Sequence, residues 1–360
     1  MTTAVNTQSI NFSSSDPAPI GIFDSGVGGL SVYLHLKQQM PNESYLYYAD
    51  TLNVPYGSRS STEIKDLTLL AVDWLVASGC KLVVIACNSA SAYGLQLARQ
   101  KYPNVPIVGL VPALKPAVLS SNSKSVAVLA TKATLDGELL NTVIKDYAYP
   151  AQVNVVKWFN PNLVPWVEAG MPLDCETPKQ LKAQLKHFYE QKVDHLVLGC
   201  THYPFFRDFV LAEVANENLD IKVLDSGAAI AARVKALLTQ SKSLVSSKLT
   251  NGSKNDLYVG YTSAYNPTYS FNPNHSKSSA LIQSIALDTI ENKTPSLNPY
   301  QDLLQIQNET QDIDHTIKAC KNDENLTPLH AGLSFFVSDP KANLAEVSRM
   351  VQRLIFRKSL

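Results

Sequence analysis

The stretch Leu196-Val-Leu-Gly-Cys-Thr-His-Tyr-Pro204 decides how this chain folds, because an apolar run leads directly into reactive side chains. Such a run is typical of a buried parallel strand, and open α/β sheets present their chemistry at the carboxyl ends of their strands. A second stretch, Leu82-Val-Val-Ile-Ala-Cys-Asn-Ser-Ala-Ser91, repeats the pattern. Each stretch therefore places a cysteine at a strand end, and we expect the two thiols to line one site.

The composition narrows the class of protein. The 31 basic residues balance the 31 acidic residues, so the charge favours neither nucleic acid nor a membrane surface, and we expect a small-molecule ligand. Five cysteines in 360 residues do not form the pattern of a secreted disulfide framework. The first 18 residues lack the features of a signal peptide, and no apolar run reaches the ~20 residues of a membrane helix. These features predict a cytoplasmic location.

Strands alternate with amphipathic helices along most of the chain, which predicts an α/β fold with doubly wound, mainly parallel sheets. The arrangement occurs twice. Asp24 precedes Cys87 by 63 residues, and Thr131 precedes Cys200 by 69 residues. In the second copy we expect a helix from Asp136. The spacing predicts two related halves, each of which contributes one thiol.

Two thiols that face one carbon atom can invert its configuration. A cysteine thiolate is a strong base where a helix N-terminus or a histidine lowers its pKa, and a helix start is expected after each strand. One thiolate would take a proton while the opposite thiol donates one from the other face. Asp24 and His202 are the ionisable neighbours that would orient the two sulfurs and adjust their protonation.

Five blocks of the sequence resemble one family when they are taken together and in order. They are Gly21-Ile-Phe-Asp-Ser-Gly-Val-Gly-Gly-Leu-Ser31, Val54-Pro-Tyr-Gly57, Ala86-Cys-Asn-Ser-Ala-Ser91, Leu163-Val-Pro-Trp-Val-Glu168 and Leu198-Gly-Cys-Thr-His-Tyr-Pro204. The set resembles the glutamate racemases of the cofactor-independent aspartate/glutamate racemase group, over residues 19 to about 240. The resemblance implies interconversion of L- and D-glutamate without a cofactor or metal, and a supply of D-glutamate for peptidoglycan.

The resemblance also assigns roles to residues. It makes Cys87 and Cys200 the catalytic acid/base pair, assisted by Asp24 and His202, and makes Glu168 a partner of His202. The residues that would hold the substrate's ammonium and carboxylate groups are Asp24, Ser25, Pro55, Tyr56, Gly57, Asn88, Ser89, Thr134, Thr201 and His202. Ser89 stands where the family commonly has threonine, and the hydroxyl is retained.

The family's two pseudosymmetric α/β domains, with the active site in the cleft between them, imply domain boundaries for this chain. Residues 1–18 would be a disordered leader. Residues 19–115 and 226–360 would form the first domain, interrupted by a polar insertion at about 239–330, and residues 116–225 would form the second. The sequence leaves the oligomeric state open, a homodimer included.

Other interpretations of the same residues stay open at this stage. A racemase of aspartate or a hydantoin would need only a different pocket, and a non-catalytic ligand-binding protein could use the same scaffold. Asp24 could serve only as a helix cap, and Pro55 and Tyr56 only as turn residues. Zinc binding by Cys87, Cys200 and His202 is disfavoured, because only three ligands are present without a paired CxxC motif.

Overall fold

A computed structural model describes residues 18–245, 258–261, 333–339, 341–342 and 344–356. Apart from residue 18, the expected leader lies outside these residues, as does most of the expected polar insertion. None of the described helices is both long enough and apolar enough to cross a membrane.

The described strands all pair in parallel and form two sheets. They are β1 (Ile20–Asp24), β2 (Tyr45–Ala49), β3 (Leu82–Ile85), β4 (Ile107–Gly109), β5 (Ser125–Leu129), β6 (Asn154–Trp158), β7 (His195–Leu198), β8 (Lys222–Leu224), β9 (Tyr258–Tyr261) and β10 (Leu333–Val337). The strands β1, β3, β5 and β7 are buried at every position, as continuous apolar runs with helices on both sides of a sheet should be.

Helices alternate with the strands. They are α1 (Leu30–Gln39), α2 (Ser61–Ala77), α3 (Asn88–Lys101), α4 (Leu114–Ser120), α5 (Lys132–Asp136), α6 (Glu138–Val143), α7 (Leu163–Glu168), α8 (Glu176–Glu190), α9 (Arg207–Asn216), α10 (Gly227–Gln240) and α11 (Leu344–Phe356). Short 3₁₀ turns occupy Tyr56–Ser58 and Tyr203–Phe206, and a π-helical turn occupies Ile144–Ala148.

Local capping explains where two of these helices begin. Ser60 and Glu63 form a reciprocal capping box at the start of α2. Thr131 caps α5 through a hydrogen bond from the Thr134 amide. The expectation of a helix starting at Asp136 was therefore wrong, because this cap starts α5 at Lys132 and the extended backbone of Gly137 separates α5 from α6.

The four strands of the second sheet have the same order as the first four strands of the six-stranded first sheet. The first runs β4-β3-β1-β2-β10-β9, and the second, written from its other edge, runs β8-β7-β5-β6. Because β3 corresponds to β7 in this order, the two cysteines follow corresponding strands, and the predicted duplication is confirmed at the level of the sheets. The C-terminal strand β10 joins the first sheet. It pairs with β2, and the Phe335 ring stacks on Tyr47 with centroids 4.6 Å apart.

Candidate active site

Cys87 caps the N-terminus of α3, two residues after the end of β3. Its sulfur accepts a hydrogen bond from the Ala90 amide at 3.5 Å, and Oγ of Ser25 lies 3.6 Å away. Burial, followed by the negative charge of Asp24, raises the pKa of Cys87 to about 12, while the hydrogen bonds from Ala90 and Ser25 oppose the rise. The helix start is present as expected, but burial outweighs it, and Cys87 is a protonated thiol at neutral pH.

Cys200 follows β7 and is also buried, with 7% of its surface exposed. No α-helix begins directly after it, because the 3₁₀ turn Tyr203–Phe206 comes before α9. The expectation of a helix start beside both thiols was therefore wrong for Cys200. Its polar neighbour is instead His202, whose Nδ1 lies 3.9 Å from the sulfur.

His202 lies between Cys200 and Glu168. Its Nε2 is 3.0 Å from Oε1 of Glu168, and its exposed fraction is 3%. Burial alone would lower the pKa of His202, but hydrogen bonds to Cys200 and Glu168 outweigh it and raise the pKa to about 10. The ring is therefore an imidazolium at neutral pH, which donates from Nε2 to Glu168 and presents the Nδ1 proton to the sulfur.

Replacing Glu168 by glutamine should lower the pKa of His202, because the ring loses its negative partner. We expect kcat/KM to fall about tenfold, the cost of a lost charge-assisted hydrogen bond. The loss of activity with rising pH should also begin at a lower pH, since the imidazolium deprotonates earlier. Turnover measured between about pH 6 and pH 10 checks both effects. Glu176→Gln on the surface of α8 is the control, and an E168Q profile identical to that control would contradict the prediction.

Asp24 connects the two halves of the molecule. Its carboxylate is fully buried and accepts hydrogen bonds from the Gly26 amide at 2.7 Å and from Oγ1 of Thr201 at 3.1 Å. Burial raises the pKa of Asp24, and the positive charge of His202 opposes the rise. The interpretation of Asp24 as a helix cap was wrong, because Gly29 occupies the N-cap of α1 without a side-chain hydrogen bond.

The glycine-rich turn before α1 packs directly on the motif that contains Cys200. A Cβ atom on Gly28 would lie 2.3 Å from Nδ1 of His202 and 2.6 Å from Oγ1 of Thr201. Oγ of Ser31 donates a hydrogen bond to the Thr201 carbonyl at 2.8 Å. Only glycine permits this close approach at position 28.

The Pro55-Tyr56-Gly57 loop also contacts both halves of the molecule. Tyr56 is 1% exposed and shares an apolar cluster with Cys87 and Phe23, so it is more than a turn residue. Its hydroxyl donates a hydrogen bond to Oδ2 of Asp50 at 2.5 Å. A Cβ atom on Gly57 would lie 2.9 Å from Cβ of Thr131, which places this loop against the start of α5.

A row of hydroxyl groups crosses from α3 to α5. Oγ of Ser89 lies 2.9 Å from Oγ1 of Thr131, which lies 3.0 Å from Oγ1 of Thr134. Next to Ser89, the buried Oδ1 atom of Asn88 has no hydrogen-bond partner among the described residues. Polar groups in such a position are available to a ligand that carries charged groups.

Known proteins are similar to this chain in sequence. The family model described as Asp/Glu/Hydantoin racemase matches residues 20–234. The chain belongs to the Asp/Glu/Hydantoin racemase family. The glutamate racemase of Deinococcus radiodurans is 48% identical over 231 residues, which cover 63% of this chain and 78% of that protein. The glutamate racemase of Stutzerimonas stutzeri is 40% identical over 233 residues, 65% of this chain and 86% of that protein.

Solved structures of this racemase family have the same fold. Glutamate racemase from Francisella tularensis, in complex with D-glutamate, aligns with a TM-score of 0.56 and 28% identity over 65% of this chain and 85% of that chain. Escherichia coli glutamate racemase, in complex with L-glutamate and the activator UDP-MurNAc-ala, aligns with a TM-score of 0.55 and 30% identity over 68% of this chain and 89% of that chain. The predicted family and fold class are confirmed.

Short contacts link several of the residues that the racemase resemblance assigned to the site, and the roles of all of these residues stay predictions. The sequence analysis missed two neighbours. Thr131 joins Ser89 to Thr134, and Asp50 holds Tyr56. The sequence analysis set Thr131 beside Asp24 in the repeated spacing, but it did not assign Thr131 to the site. In the described part of the chain, no group of three or more His, Cys, Asp or Glu side chains is arranged to hold a metal ion.

Proposed function

We propose that this chain interconverts L- and D-glutamate by two-base proton transfer at the α-carbon, with Cys87 and Cys200 as the acid/base residues. The observation that supports it most is the placement of the two thiols after corresponding strands of two similar sheets. Two short contacts connect them: Cys87 to Ser25 at 3.6 Å and Thr201 to Asp24 at 3.1 Å. Ser25 and Asp24 are adjacent, as are Cys200 and Thr201.

The two sulfurs have different surroundings, which suggests a starting state for turnover. Cys87 holds its proton because its pKa is raised to about 12. Cys200 lies beside the His202 imidazolium, which offers an N–H and a positive charge to the sulfur. In this state Cys200 acts as the base and Cys87 as the acid, and the opposite state serves the reverse reaction.

The proton balance of the proposed reaction closes without an additional reactant. The thiolate forms an S–H bond as the bond from Cα to hydrogen breaks, and the electron pair moves onto Cα and its carboxylate. The opposite thiol then gives its proton to the other face of Cα, which inverts the stereocentre and leaves a thiolate. Each turnover therefore exchanges the protonation states of Cys87 and Cys200.

The surrounding polar groups suit an amino acid with two carboxylates. When its carboxyl group is ionised, Asp24 carries the negative charge that binds the substrate's ammonium group. Hydroxyl and amide groups suit the carboxylates, and in this proposal they come from Ser25, Asn88, Ser89, Thr134, Thr201 and the Pro55-Tyr56-Gly57 loop. Aspartate and hydantoins are the alternative substrates, since the description of the matching family model names both classes beside glutamate.

Incubation of the purified protein with L-glutamate in deuterated water should give D-glutamate that carries deuterium at Cα, without an added cofactor. Deuterium is expected because the sulfur that donates has exchanged its proton with solvent. Chiral chromatography with mass spectrometry measures both the configuration and the label. Conversion of aspartate but not glutamate would select the alternative substrate, and failure with every amino acid would favour a non-catalytic ligand-binding protein.

The finer assignments are part of the same proposal. The domain boundaries are proposed at residues 19–115 plus 226–360 and at residues 116–225, with the active site between the two domains. A cytoplasmic location and a supply of D-glutamate for peptidoglycan follow from the proposed activity. A homodimer stays a prediction, which light scattering of the purified protein would test.

A further inference from the structure

Ser338, the first residue after β10, lies against the loop that follows β2. Its Oγ donates a hydrogen bond to Oδ1 of Asp50 at 2.6 Å and accepts one from the Leu52 amide at 3.0 Å. Its own amide donates to the Ala49 carbonyl at 3.0 Å. The hydroxyl is therefore held in one orientation, in which its proton points to the Asp50 carboxylate.

Asp50 is the centre of a buried hydrogen-bond network. It is 3% exposed, and its carboxylate receives the Tyr56 hydroxyl at 2.5 Å on one oxygen and the Ser338 hydroxyl on the other. The Asn53 side chain donates to both oxygens, at 3.0 and 3.2 Å. A buried carboxylate needs such donors, because water no longer solvates its charge. Removal of one donor therefore leaves the Asp50 carboxylate less firmly positioned for the remaining donors.

Tyr56 connects this network to the proposed glutamate site. It belongs to the Pro55-Tyr56-Gly57 loop, and it packs against Phe23, with ring centroids 6.1 Å apart, and in the apolar cluster that contains Cys87. Burial, reinforced by the charge of Asp50, raises the pKa of Tyr56. The phenol therefore keeps its proton and donates to Asp50 at every physiological pH.

We propose that Ser338 is a positioning residue for glutamate: by holding the Asp50 carboxylate, it fixes Tyr56 and the loop around it against the substrate. This role rests on the proposed function and deepens it. Ser338 lies outside residues 20–234, the part of the chain that the family model matches. In this proposal the segment that contains β10 and Ser338 contributes to substrate binding as well as to the first sheet.

Ser338→Ala in the full-length protein should raise the KM for glutamate about tenfold, the effect of losing one hydrogen bond to a charged group. The value of kcat should change little, because the thiols and His202 are not in this network. Ser338→Thr keeps the hydroxyl and should restore the KM. Ser334→Ala makes the same chemical change on β10 itself, outside the network, and should behave like the wild type.

A double-mutant cycle with Tyr56→Phe separates positioning from general destabilisation. Y56F removes the phenol donor to Asp50 and should raise the KM by itself. If Ser338 acts through Asp50 and Tyr56, then S338A should add little to Y56F, whereas independent losses would multiply. Circular dichroism and urea midpoints show whether each variant is folded.

Three outcomes would overturn the role of Ser338. They are an S338A variant with the wild-type KM, a KM for S338T as high as that for S338A, and effects of S338A and Y56F that multiply. If S338A does not fold, the KM of the Y56F variant tests the proposal instead, and an unchanged KM in Y56F would overturn it. A wild-type protein that does not racemise glutamate refutes the proposed function instead, and that result is known before any variant is made.

Discussion

Replacement of Cys87 or Cys200 by serine should abolish racemisation and leave hydrogen exchange at Cα in one enantiomer only. General acid–base catalysis by a positioned side chain contributes about 10²- to 10⁴-fold, and serine is far too weak an acid to replace a thiol. The thiol that remains can still remove a proton from its own face and return a deuteron to the same face. The C87S and C200S variants should therefore label opposite enantiomers of glutamate, each with retention of configuration.

The measurement is proton NMR of each pure enantiomer in deuterated water, combined with chiral analysis of the product. Cys175→Ser provides the matched control, because Cys175 is partly exposed and its sulfur donates a hydrogen bond to the Pro172 carbonyl at 3.4 Å. It should racemise like the wild type. Full activity in either C87S or C200S, or labelling of the same enantiomer by both variants, would refute the two-base assignment.

Residues close to a strand end were predictable from the sequence, because a parallel sheet brings those ends to one edge. The apolar runs before Cys87 and Cys200 predicted both strands, and the sheets place the cysteines at corresponding positions. The hydrogen bond from Thr201 to Asp24 joins residues 177 positions apart that belong to different sheets, so it depends on how the two sheets face each other and not on this rule alone. Periodicity and spacing thus sufficed for the fold class and for the corresponding positions of the two cysteines.

Contacts that depend on three-dimensional packing were not predictable in this way. Ser338 and Asp50 are 288 residues apart, and nothing in either local pattern indicates that their side chains meet. The raised pKa of Cys87 has the same origin, since the sequence shows the helix start after this residue but not the extent of its burial.

Gly28→Ala tests the contact between the two halves, because a methyl group there would collide with His202 and Thr201. An ordinary contact to a Cβ atom begins near 3.4 Å, and the Nδ1 atom of His202 lies only 2.3 Å from the position that the methyl group would occupy. His202 is buried and bonded to Glu168, so it cannot turn away without breaking that hydrogen bond. The imidazolium would have to move by about 1 Å, which costs about 10²-fold in rate.

We therefore expect G28A to lower kcat/KM about 10²-fold and to reduce the free energy of unfolding by about 1–3 kcal/mol, the usual cost of overpacking. Gly26→Ala is the matched comparison in the same turn, since its methyl group would find ordinary contacts at 3.4 Å to Val54 and 3.6 Å to Glu168. Both variants keep the amide at position 26 that donates to Asp24. Steady-state kinetics and urea unfolding of the pair measure the difference. Equal losses of kcat/KM and of unfolding free energy in both variants would show that the turn tolerates no side chain at either position. That result would contradict a specific effect of the contact between Gly28 and His202.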